Sequence, residues 1–268
     1  MTFAEQRINT PSIINARELG GYVLPSGARV RRGLLLRGGS LASASDADIR
    51  LLSDTYHVVR VFDFRTSMEV GADPDRDVPG ATHVWLPAFN ERSCTMAGTF
   101  LPHEAYRDLG NWLVRHACEP AVRKAADILY TSMVDEEFTQ VQFAGFLQNI
   151  LGTDGGAVYW HCSQGKDRTG LAAAFILAAL GADRDLIMAD YAMSNEFYTD
   201  ELALYRSMVE SEEEKSIIQT FIGVNCDCFA GALDLIDRKW GSMKNFLTGP
   251  LCFSEEDMET LRKRYLEF

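Results

Sequence analysis

The sequence contains few cysteines and no evident export signal. Its six cysteines in 268 residues are too sparse to frame a chain of this size with disulfide bonds. Residues 1–19 lack the basic start and the apolar stretch of a secretory signal. We therefore expect reduced thiols in a cytoplasmic protein, with export by an unconventional route as the alternative.

Long apolar runs and an excess of positive charge are also missing. The longest apolar run, residues 171–182, has about half the length of a membrane span, so it predicts a buried helix. Acidic residues exceed basic ones, 38 to 26, and the net charge is −12. Such a charge repels nucleic acid and anionic membrane surfaces. We expect neither nucleic-acid binding nor stable membrane insertion, and any phosphate-bearing ligand requires a locally positive site.

No internal repeat, low-complexity tract or proline-rich linker divides the chain, so we expect one domain over residues 1–268. Apolar runs predict strands at residues 33–37, 57–65, 82–87 and 157–162. The second and third of these are apolar enough to be central strands, covered on both faces.

Helical patterns lie between and after these strands. Two spacings, Ser45 with Asp48 and Ser254 with Asp257, are typical of helix-capping boxes. Strands separated by helices predict an α/β fold with a central, mostly parallel sheet flanked by helices. The helical stretch at about 90–135 is interpreted as an insertion above the sheet and as a candidate lid.

The segment HCSQGKDRTG, residues 161–170, carries the clearest chemical signal. A buried strand ends near Cys162 and a helix begins near Arg168, so the chain must turn at a helix N-terminus. The unpaired N–H groups of such a turn and the helix dipole form an anion cradle, which favours the thiolate of Cys162 at its base. Arg168 offers a planar fork for two phosphate oxygens. Gly165 is expected to let the backbone approach the ligand closely.

This stretch resembles the signature loop of cysteine-dependent protein tyrosine and dual-specificity phosphatases. In the form HCxxGKDRTG it is similar to a bacterial branch related to a secreted mycobacterial enzyme and to phosphoinositide phosphatases. Further segments follow the order of that family's landmarks, namely residues 15–22, 31–41, 61–70, 189–197 and 246–266. The resemblance covers most of the chain apart from the insertion, and it implies a phosphotyrosine phosphatase-like fold.

The resemblance implies a two-step mechanism that needs no metal or cofactor. Cys162 would attack phosphorus and form a phosphocysteine intermediate, while the loop N–H groups and Arg168 stabilise the charge on the phosphoryl oxygens. Thr169 would hydrogen-bond the sulfur as it leaves, and His161 would orient the loop. The residues expected to contact substrate are Ser163, Gln164, Gly165, Lys166, Thr169 and Asp63.

The general acid has several candidates. The Trp-Pro-Asp triplet that many phosphatases of this superfamily use is absent. The resemblance points to Asp167 as the catalytic acid, and the alternative is a structural anion paired with a nearby cation. The fallback acids are Asp63, Asp73, Asp75 and Asp135. Asp63 is preferred among them because it lies at the end of a predicted parallel strand, where α/β sites form.

Other residues are candidates for supporting roles. In this family a lysine at position 166 accompanies activity on phosphoinositides, and the alternative is a solvated loop lysine. Arg65 and Glu69 are either an ion-pair network under the loop or an ordinary surface pair. Four residues are expected to fix the helix behind the loop: Asp190, Tyr191, Ser194 and Asn195.

Two further site types are excluded. Cys226 and Cys228 lack the additional ligands that a zinc site needs, so no metal is expected. A nucleotide-binding phosphate loop requires Ser or Thr after Gly-Lys, but Asp167 stands there.

The sequence thus predicts a metal-independent phosphomonoesterase that acts on protein phosphotyrosine. Phosphoserine, phosphothreonine and phosphoinositides are further candidate substrates. One alternative is a rhodanese-like sulfurtransferase or thiol-redox enzyme, which also uses a cysteine in an anion-cradling loop. The other is a phospho-ligand binding module without catalysis.

Overall fold

A mostly parallel sheet forms the centre of the structure, a computed structural model that describes residues 3–90 and 108–268. Its strands are β1 (Arg17–Glu18), β3 (Leu35–Gly38), β4 (Val58–Asp63), β5 (Thr82–Trp85) and β6 (Ala157–His161), and β2 (Arg29–Val30) pairs separately with β7 (Leu266–Glu267). The strand order of the five-stranded sheet is β1-β3-β6-β4-β5, and within it the β1–β3 pairing is antiparallel and the other three are parallel; β2 and β7 are also antiparallel. The predicted fold class is confirmed.

The four predicted strands correspond to β3, β4, β5 and β6. β6 is buried throughout and β4 lies between β6 and β5, as expected for central strands. The prediction for residues 82–87 is wrong in one respect, because β5 is an edge strand and Trp85 is 54% exposed. Its β-branched and aromatic residues indicated a strand but not the strand's place in the sheet.

The parallel strands end side by side. Gly38 is paired with His161, and Asp63 is paired with both His161 and Trp85. In α/β proteins, ligands bind beyond this carboxyl edge of the sheet. Because Cys162 follows His161 directly, the turn after β6 lies at the centre of the edge.

Helices surround the sheet. In chain order they are α1 (Phe3–Gln6), α2 (Asp46–Arg50), α3 (Ser67–Ala72), α4 (Leu109–His116), α5 (Pro120–Asp135), α6 (Glu137–Leu151), α7 (Asp167–Leu180), α8 (Arg184–Ala192), α9 (Thr199–Ser207), α10 (Glu212–Phe221), α11 (Cys226–Trp240), α12 (Met243–Thr248) and α13 (Glu255–Tyr265). A π-helical turn (Leu51–Thr55) continues α2, and a 3-10 turn (Met193–Phe197) follows α8. Within the described ranges, no single helix is long and apolar enough to cross a membrane. Only α10 and α11 taken together pass that test, across a bend of 68°.

Both predicted capping boxes are confirmed. The hydroxyl of Ser45 accepts a hydrogen bond from the backbone N–H of Asp48, whose carboxylate accepts one in return from the backbone N–H of Ser45. Ser254 and Asp257 make the same pair of bonds at the start of α13. These contacts satisfy N–H groups that would otherwise be unpaired at a helix start.

The sheet buries both faces, as the alternation of side chains along β6 shows. Val158 and Trp160 point into the main core, which they share with α6, α7 and the C-terminal helices. Ala157 and Tyr159 point to the opposite face, where the N-terminal segment and α2 cover them. This alternation with a period of two is the ordinary consequence of strand geometry.

The described part of the predicted insertion shares its packing with the rest of the fold. In the first half of α5, Val122 packs in a second cluster with Trp112 of α4 and Ile218 of α10. In the second half, Tyr130 and Met133 belong to the main core. Residues 91–107 of the insertion lie outside the described residues, and motion of the insertion as a lid stays a prediction.

The core around Phe146 gives a test of the packing. Its ring lies 5.1 Å from those of Phe62 and Phe64, centroid to centroid, and it is fully buried. Phe146→Ala is expected to lower the free energy of unfolding by about 3–5 kcal/mol, because it removes buried surface and leaves a cavity. The control Val141→Ala, on the same helix but 58% exposed, should change it by less than about 0.5 kcal/mol. Urea unfolding measures both, and equal losses would contradict this packing.

Candidate active site

The turn between β6 and α7 brings most of the predicted site together. Cys162 lies at its start, only 2% exposed, and α7 begins at Asp167. Across the described parts of the chain, no group accepts a hydrogen bond from the backbone N–H groups of residues 163–167. The dipole of α7, a helix of 14 residues, adds positive potential at the same place. The turn is therefore an anion-binding structure with a buried thiol at its base.

Gly165 sets the path of this turn for a structural reason, and its expected close approach to a ligand stays a prediction. Its φ is +68°, in the left-handed region that favours glycine. A Cβ at this position would lie 2.2 Å from the backbone carbon and oxygen of Gly38 and 2.6 Å from the nitrogen of Gly39. The close approach that requires glycine in this structure is thus to the end of β3.

Side chains from distant parts of the sequence hold the carbonyl of Gly165. It accepts hydrogen bonds from Nδ2 of Asn15 at 2.8 Å and from the guanidinium of Arg37 at 3.0 Å. Arg37 also pairs with Asp190, which in turn pairs with Arg17. Asn15, Arg17 and Arg37 were not among the predicted site residues, although residues 15–22 and 31–41, which contain them, were noted as family landmarks.

The cluster beneath the turn carries an excess of positive charge, because Arg17 and Arg37 share the single carboxylate of Asp190. All three are buried. Burial, and after it the charge of Arg17, lowers the pKa of Arg37 to about 10. Burial alone would raise the pKa of Asp190, but the two guanidinium groups outweigh it and the pKa lies below its ordinary value. This excess charge makes the electrostatic potential at the turn above favourable for an anion.

Behind the turn, Ser194 Oγ contacts both Arg17 and Asn15. Nδ2 of Asn195 donates to the carbonyl of Val224. The hydroxyl of Tyr191 is in hydrogen-bond contact with the hydroxyl of Tyr130. Asp190, Ser194 and Tyr191 thus contact residues that bind the turn or Asp167, whereas the side-chain partners of Asn195 are Val224 and Gln219; their role in fixing the helix stays a prediction.

Arg168 is held by Glu69. Its two terminal nitrogens donate to the two carboxylate oxygens of Glu69 at 2.6 and 2.7 Å, and one of them also donates to the carbonyl of Phe64. Glu69 accepts a further hydrogen bond from the backbone N–H of Thr66, which caps α3. The predicted network under the loop exists, but the partner of Glu69 is Arg168.

Charge explains the protonation of this pair. Burial would raise the pKa of Glu69, but the charge of Arg168 and hydrogen bonds from Arg168, Ser163 and Thr66 lower it to about 2. Burial would lower the pKa of Arg168, but the negative charge of Glu69 and the hydrogen bonds to its carboxylate raise it above its ordinary value. Both groups are therefore ionised over the working pH range, and the guanidinium keeps a fixed orientation beside Cys162.

Asp167 is the first residue of α7 and its two oxygens have different partners. The hydroxyl of Tyr130 donates to Oδ1, and Nζ of Lys166 lies 2.9 Å from Oδ2. Lys166 also donates to the carbonyl of Thr220 and is 2% exposed, so the alternative of a solvated loop lysine is wrong. Pairing with a cation, the structural alternative for Asp167, is present, and its role as the acid stays a prediction.

The fallback acids are engaged elsewhere. Both oxygens of Asp63 accept hydrogen bonds from Arg65. Asp75 lies 2.8 Å from the same guanidinium and 3.1 Å from Nε2 of His161. Asp135 pairs with Lys239 of α11, and the carbonyl of Asp73, which ends α3, accepts from Arg65.

His161, Asp63 and Asp75 form a buried cluster behind the nucleophile. Their ligand atoms lie within 4.8 Å of one another, a spacing that a metal ion could bridge. The guanidinium of Arg65, however, lies 2.8 Å from an oxygen of each carboxylate and supplies the positive charge there. Nδ1 of His161 lies 3.1 Å from the carbonyl of Cys162. We interpret the cluster as an ion-pair network that supports the turn.

The remaining predicted contacts also line the turn. Ser163 donates through Oγ to Glu69, and the carbonyl of Gln164 accepts from the hydroxyl of Tyr198 at 2.7 Å. The hydroxyl of Thr169 is buried and makes no hydrogen bond to any described residue. The bond from Thr169 to the sulfur that the resemblance implies is thus not formed in this arrangement.

Taken together, the geometry provides a buried thiol, a set of unpaired N–H donors, a clamped guanidinium and a carboxylate within one turn. This combination suits attack by sulfur on a tetrahedral oxyanion, with the donors and Arg168 stabilising the charge on its oxygens.

Comparisons with known proteins identify the family of the chain. The profile of a tyrosine phosphatase family matches residues 8–267. The chain is 33% identical, over 95% of its length and 86% of the relative's, to a Cupriavidus necator protein provisionally named a tyrosine-protein phosphatase. It is 29% identical, over 86% of its length and 92% of the relative's, to the triple specificity protein phosphatase PtpB of Mycobacterium tuberculosis.

The ion pair between Glu69 and Arg168 predicts a pH-dependent contribution to the free energy of unfolding. Because the folded-state pKa of Glu69 is about 2, below the value of about 4.3 for an unfolded chain, its contribution is present above about pH 4.5 and is lost as pH falls towards 2. Glu69→Gln should lower the free energy of unfolding by about 3 kcal/mol at pH 7, since it leaves a buried guanidinium without a counter-charge.

The free energies of unfolding of the wild type and of Glu69→Gln, measured from pH 7 to pH 3, check this expectation. The difference between the two free energies should become smaller below about pH 4.5. The matched control is Glu255→Gln, which removes an exposed carboxylate paired with Lys244 and should cost less than about 1 kcal/mol. A difference in unfolding free energy that is small at pH 7, or that does not change with pH, would contradict a stabilising ion pair between Glu69 and Arg168.

Proposed function

Because the chain belongs to the tyrosine phosphatase family and is a phosphatase, we propose that it hydrolyses phosphomonoesters without a metal, through a phosphocysteine intermediate on Cys162. The observation that carries the proposal is the buried thiol at the base of a turn whose N–H groups at 163–167 have no acceptor among the described residues. A phosphoryl group, with its three free oxygens, matches such a set of donors.

In the first step, Sγ of the Cys162 thiolate attacks phosphorus as the bond between phosphorus and the ester oxygen breaks. Asp167 gives its proton to that departing oxygen. The N–H groups of the turn and the guanidinium of Arg168 hold the phosphoryl oxygens, and Glu69 keeps the guanidinium in place. The products of the step are the free alcohol or phenol and phosphocysteine.

In the second step, water attacks phosphorus and transfers a proton to the carboxylate of Asp167, while the bond between sulfur and phosphorus breaks. This step regenerates the thiolate and releases inorganic phosphate. The otherwise unpaired hydroxyl of Thr169 is the donor that we assign to the departing sulfur.

We assign protein phosphotyrosine as the main substrate class. Cys162 is only 2% exposed, and the aryl group of phosphotyrosine reaches deeper than the short side chain of phosphoserine. Buried Lys166, whose charge is shared with Asp167, is a second cation next to the turn and favours ligands with more than one phosphate. Phosphoserine, phosphothreonine and phosphoinositides remain secondary candidates, and a cytoplasmic location stays a prediction.

The sulfurtransferase alternative gains no support, since the family match spans residues 8–267. Binding without catalysis is also disfavoured, because the chain retains the nucleophile, the guanidinium and a carboxylate in one turn.

The mechanism is tested with a phosphotyrosine peptide in EDTA. The wild type should turn over and, when quenched with acid, should carry a phosphoryl group on Cys162; Cys162→Ser should lose at least about 10³-fold in rate and carry no label. Cys118→Ser, which changes an exposed cysteine outside the site, is the control and should match the wild type. Activity that EDTA abolishes, or a fully active Cys162→Ser, would refute the proposal.

A further inference from the structure

Helix α5 brings an unexpected side chain to the turn. Tyr130 lies in the segment interpreted from the sequence as an insertion, yet it is 1% exposed and packs in the main core. Its hydroxyl donates to Oδ1 of Asp167. The assignments made from the sequence did not include Tyr130, because nothing in the pattern of α5 distinguishes it from an ordinary core tyrosine.

The ring of Tyr130 has little freedom to move. It meets Tyr191 and Phe229 edge to face, with centroid distances of 6.1 and 6.2 Å and interplanar angles of 86°. Tyr191 and Phe229 are themselves stacked, 3.8 Å apart and 4° from parallel. Such aromatic contacts hold rings in specific orientations. The position of the Tyr130 hydroxyl is therefore set by the core and not by solvent.

A second hydroxyl completes a short chain of hydrogen bonds. The hydroxyl groups of Tyr191 and Tyr130 are in hydrogen-bond contact. Burial, and after it the charge of Asp167, raises the pKa of both tyrosines well above the ordinary value of 10. Both groups stay protonated, so Tyr191 can donate to Tyr130 while Tyr130 donates to Asp167.

The hydrogen bonds from Tyr191 through Tyr130 to Asp167 give the two oxygens of the Asp167 carboxyl group different roles. A protonated carboxyl carries its proton on one oxygen, and the other remains an acceptor. With Tyr130 donating to Oδ1, the acid form of Asp167 keeps its better acceptor, the C=O oxygen, at Oδ1 when it carries its proton on Oδ2. The partner of Oδ2 is Lys166, whose flexible chain ends in a charge that a phosphate dianion attracts. Tyr130 is neutral and its ring packs between other aromatic rings, so a phosphate dianion does not attract it in the same way.

We infer that Tyr130 is a positioning residue for proton transfer by Asp167: its hydroxyl holds Oδ1 and so directs the proton to Oδ2, from which it passes to the ester oxygen. The inference rests on the proposed function, and it adds α5 to the catalytic apparatus. Proton delivery at a fixed geometry is a recognised source of rate acceleration.

The test compares two substrates whose leaving groups differ in their need for a proton. Nitrophenolate leaves readily without one, whereas phenolate does not. Tyr130→Phe should lower kcat/KM for phenyl phosphate about tenfold more than for 4-nitrophenyl phosphate, and Asp167→Asn should show a larger difference of the same sign.

The matched control is Tyr198→Phe. Tyr198 is also buried and donates to the same turn, but its acceptor is the carbonyl of Gln164. A purely structural loss should lower kcat/KM for both substrates by the same factor, and we expect this result for Tyr198→Phe. If Tyr130→Phe behaves like Tyr198→Phe, the inference is wrong.

Different results would rule out Asp167 as the acid and Tyr130 as its positioning residue. An Asp167→Asn variant without leaving-group dependence would overturn the proposed acid, and the inference with it. If Tyr130→Phe does not fold, Tyr191→Phe is measured in its place. That variant removes only the second hydroxyl in the series of hydrogen bonds and keeps the bond from Tyr130 to Asp167. It should show a smaller loss that is still selective for phenyl phosphate, and an unselective loss would again overturn the inference.

Discussion

The contact between Gly165 and the end of β3 is the constraint on which the site depends. Gly165 is left-handed and leaves no room for a side chain beside Gly38 and Gly39. Asn15 and Arg37 bind its carbonyl from below. With the carbonyl drawn towards the core and the chain sharply turned, the N–H groups of the turn remain unpaired within the described structure. The donors, the thiol at their base and the start of α7 follow from this arrangement.

Charge around the turn opposes the charge of the whole protein. The net charge is −12, but four buried or part-buried cations adjoin the turn. They are Arg17, Arg37, Lys166 and Arg168, and their partners are the three carboxylates of Asp190, Asp167 and Glu69. The cations thus outnumber these carboxylates by one, and the helix dipole and the N–H donors add to the positive potential of the turn. The overall negative surface discourages nonspecific binding of polyanions, while the site itself favours a phosphoryl group.

The sequence predicted what local patterns encode. Apolar runs located the parallel strands, the capping boxes at Ser45 and Ser254 marked helix starts, and the glycine-containing turn between β6 and α7 indicated anion binding. It did not predict pairings that only the fold creates. The partner of Glu69 is 99 residues away, and Tyr130 is one of several tyrosines in a helical pattern. The sequence also did not predict the edge position of β5, because the residues of a strand do not show which strands will pair with it.

The claim that Cys162 lies at the base of an anion site can be tested by alkylation with and without tungstate, a phosphate-like oxyanion. Mass spectrometry after treatment with iodoacetamide at neutral pH reports each cysteine separately, and exposed Cys118 and Cys252 serve as internal controls. The account predicts that tungstate slows alkylation of Cys162 at least about tenfold and leaves the two controls unchanged. Equal rates at Cys162 with and without tungstate would contradict it.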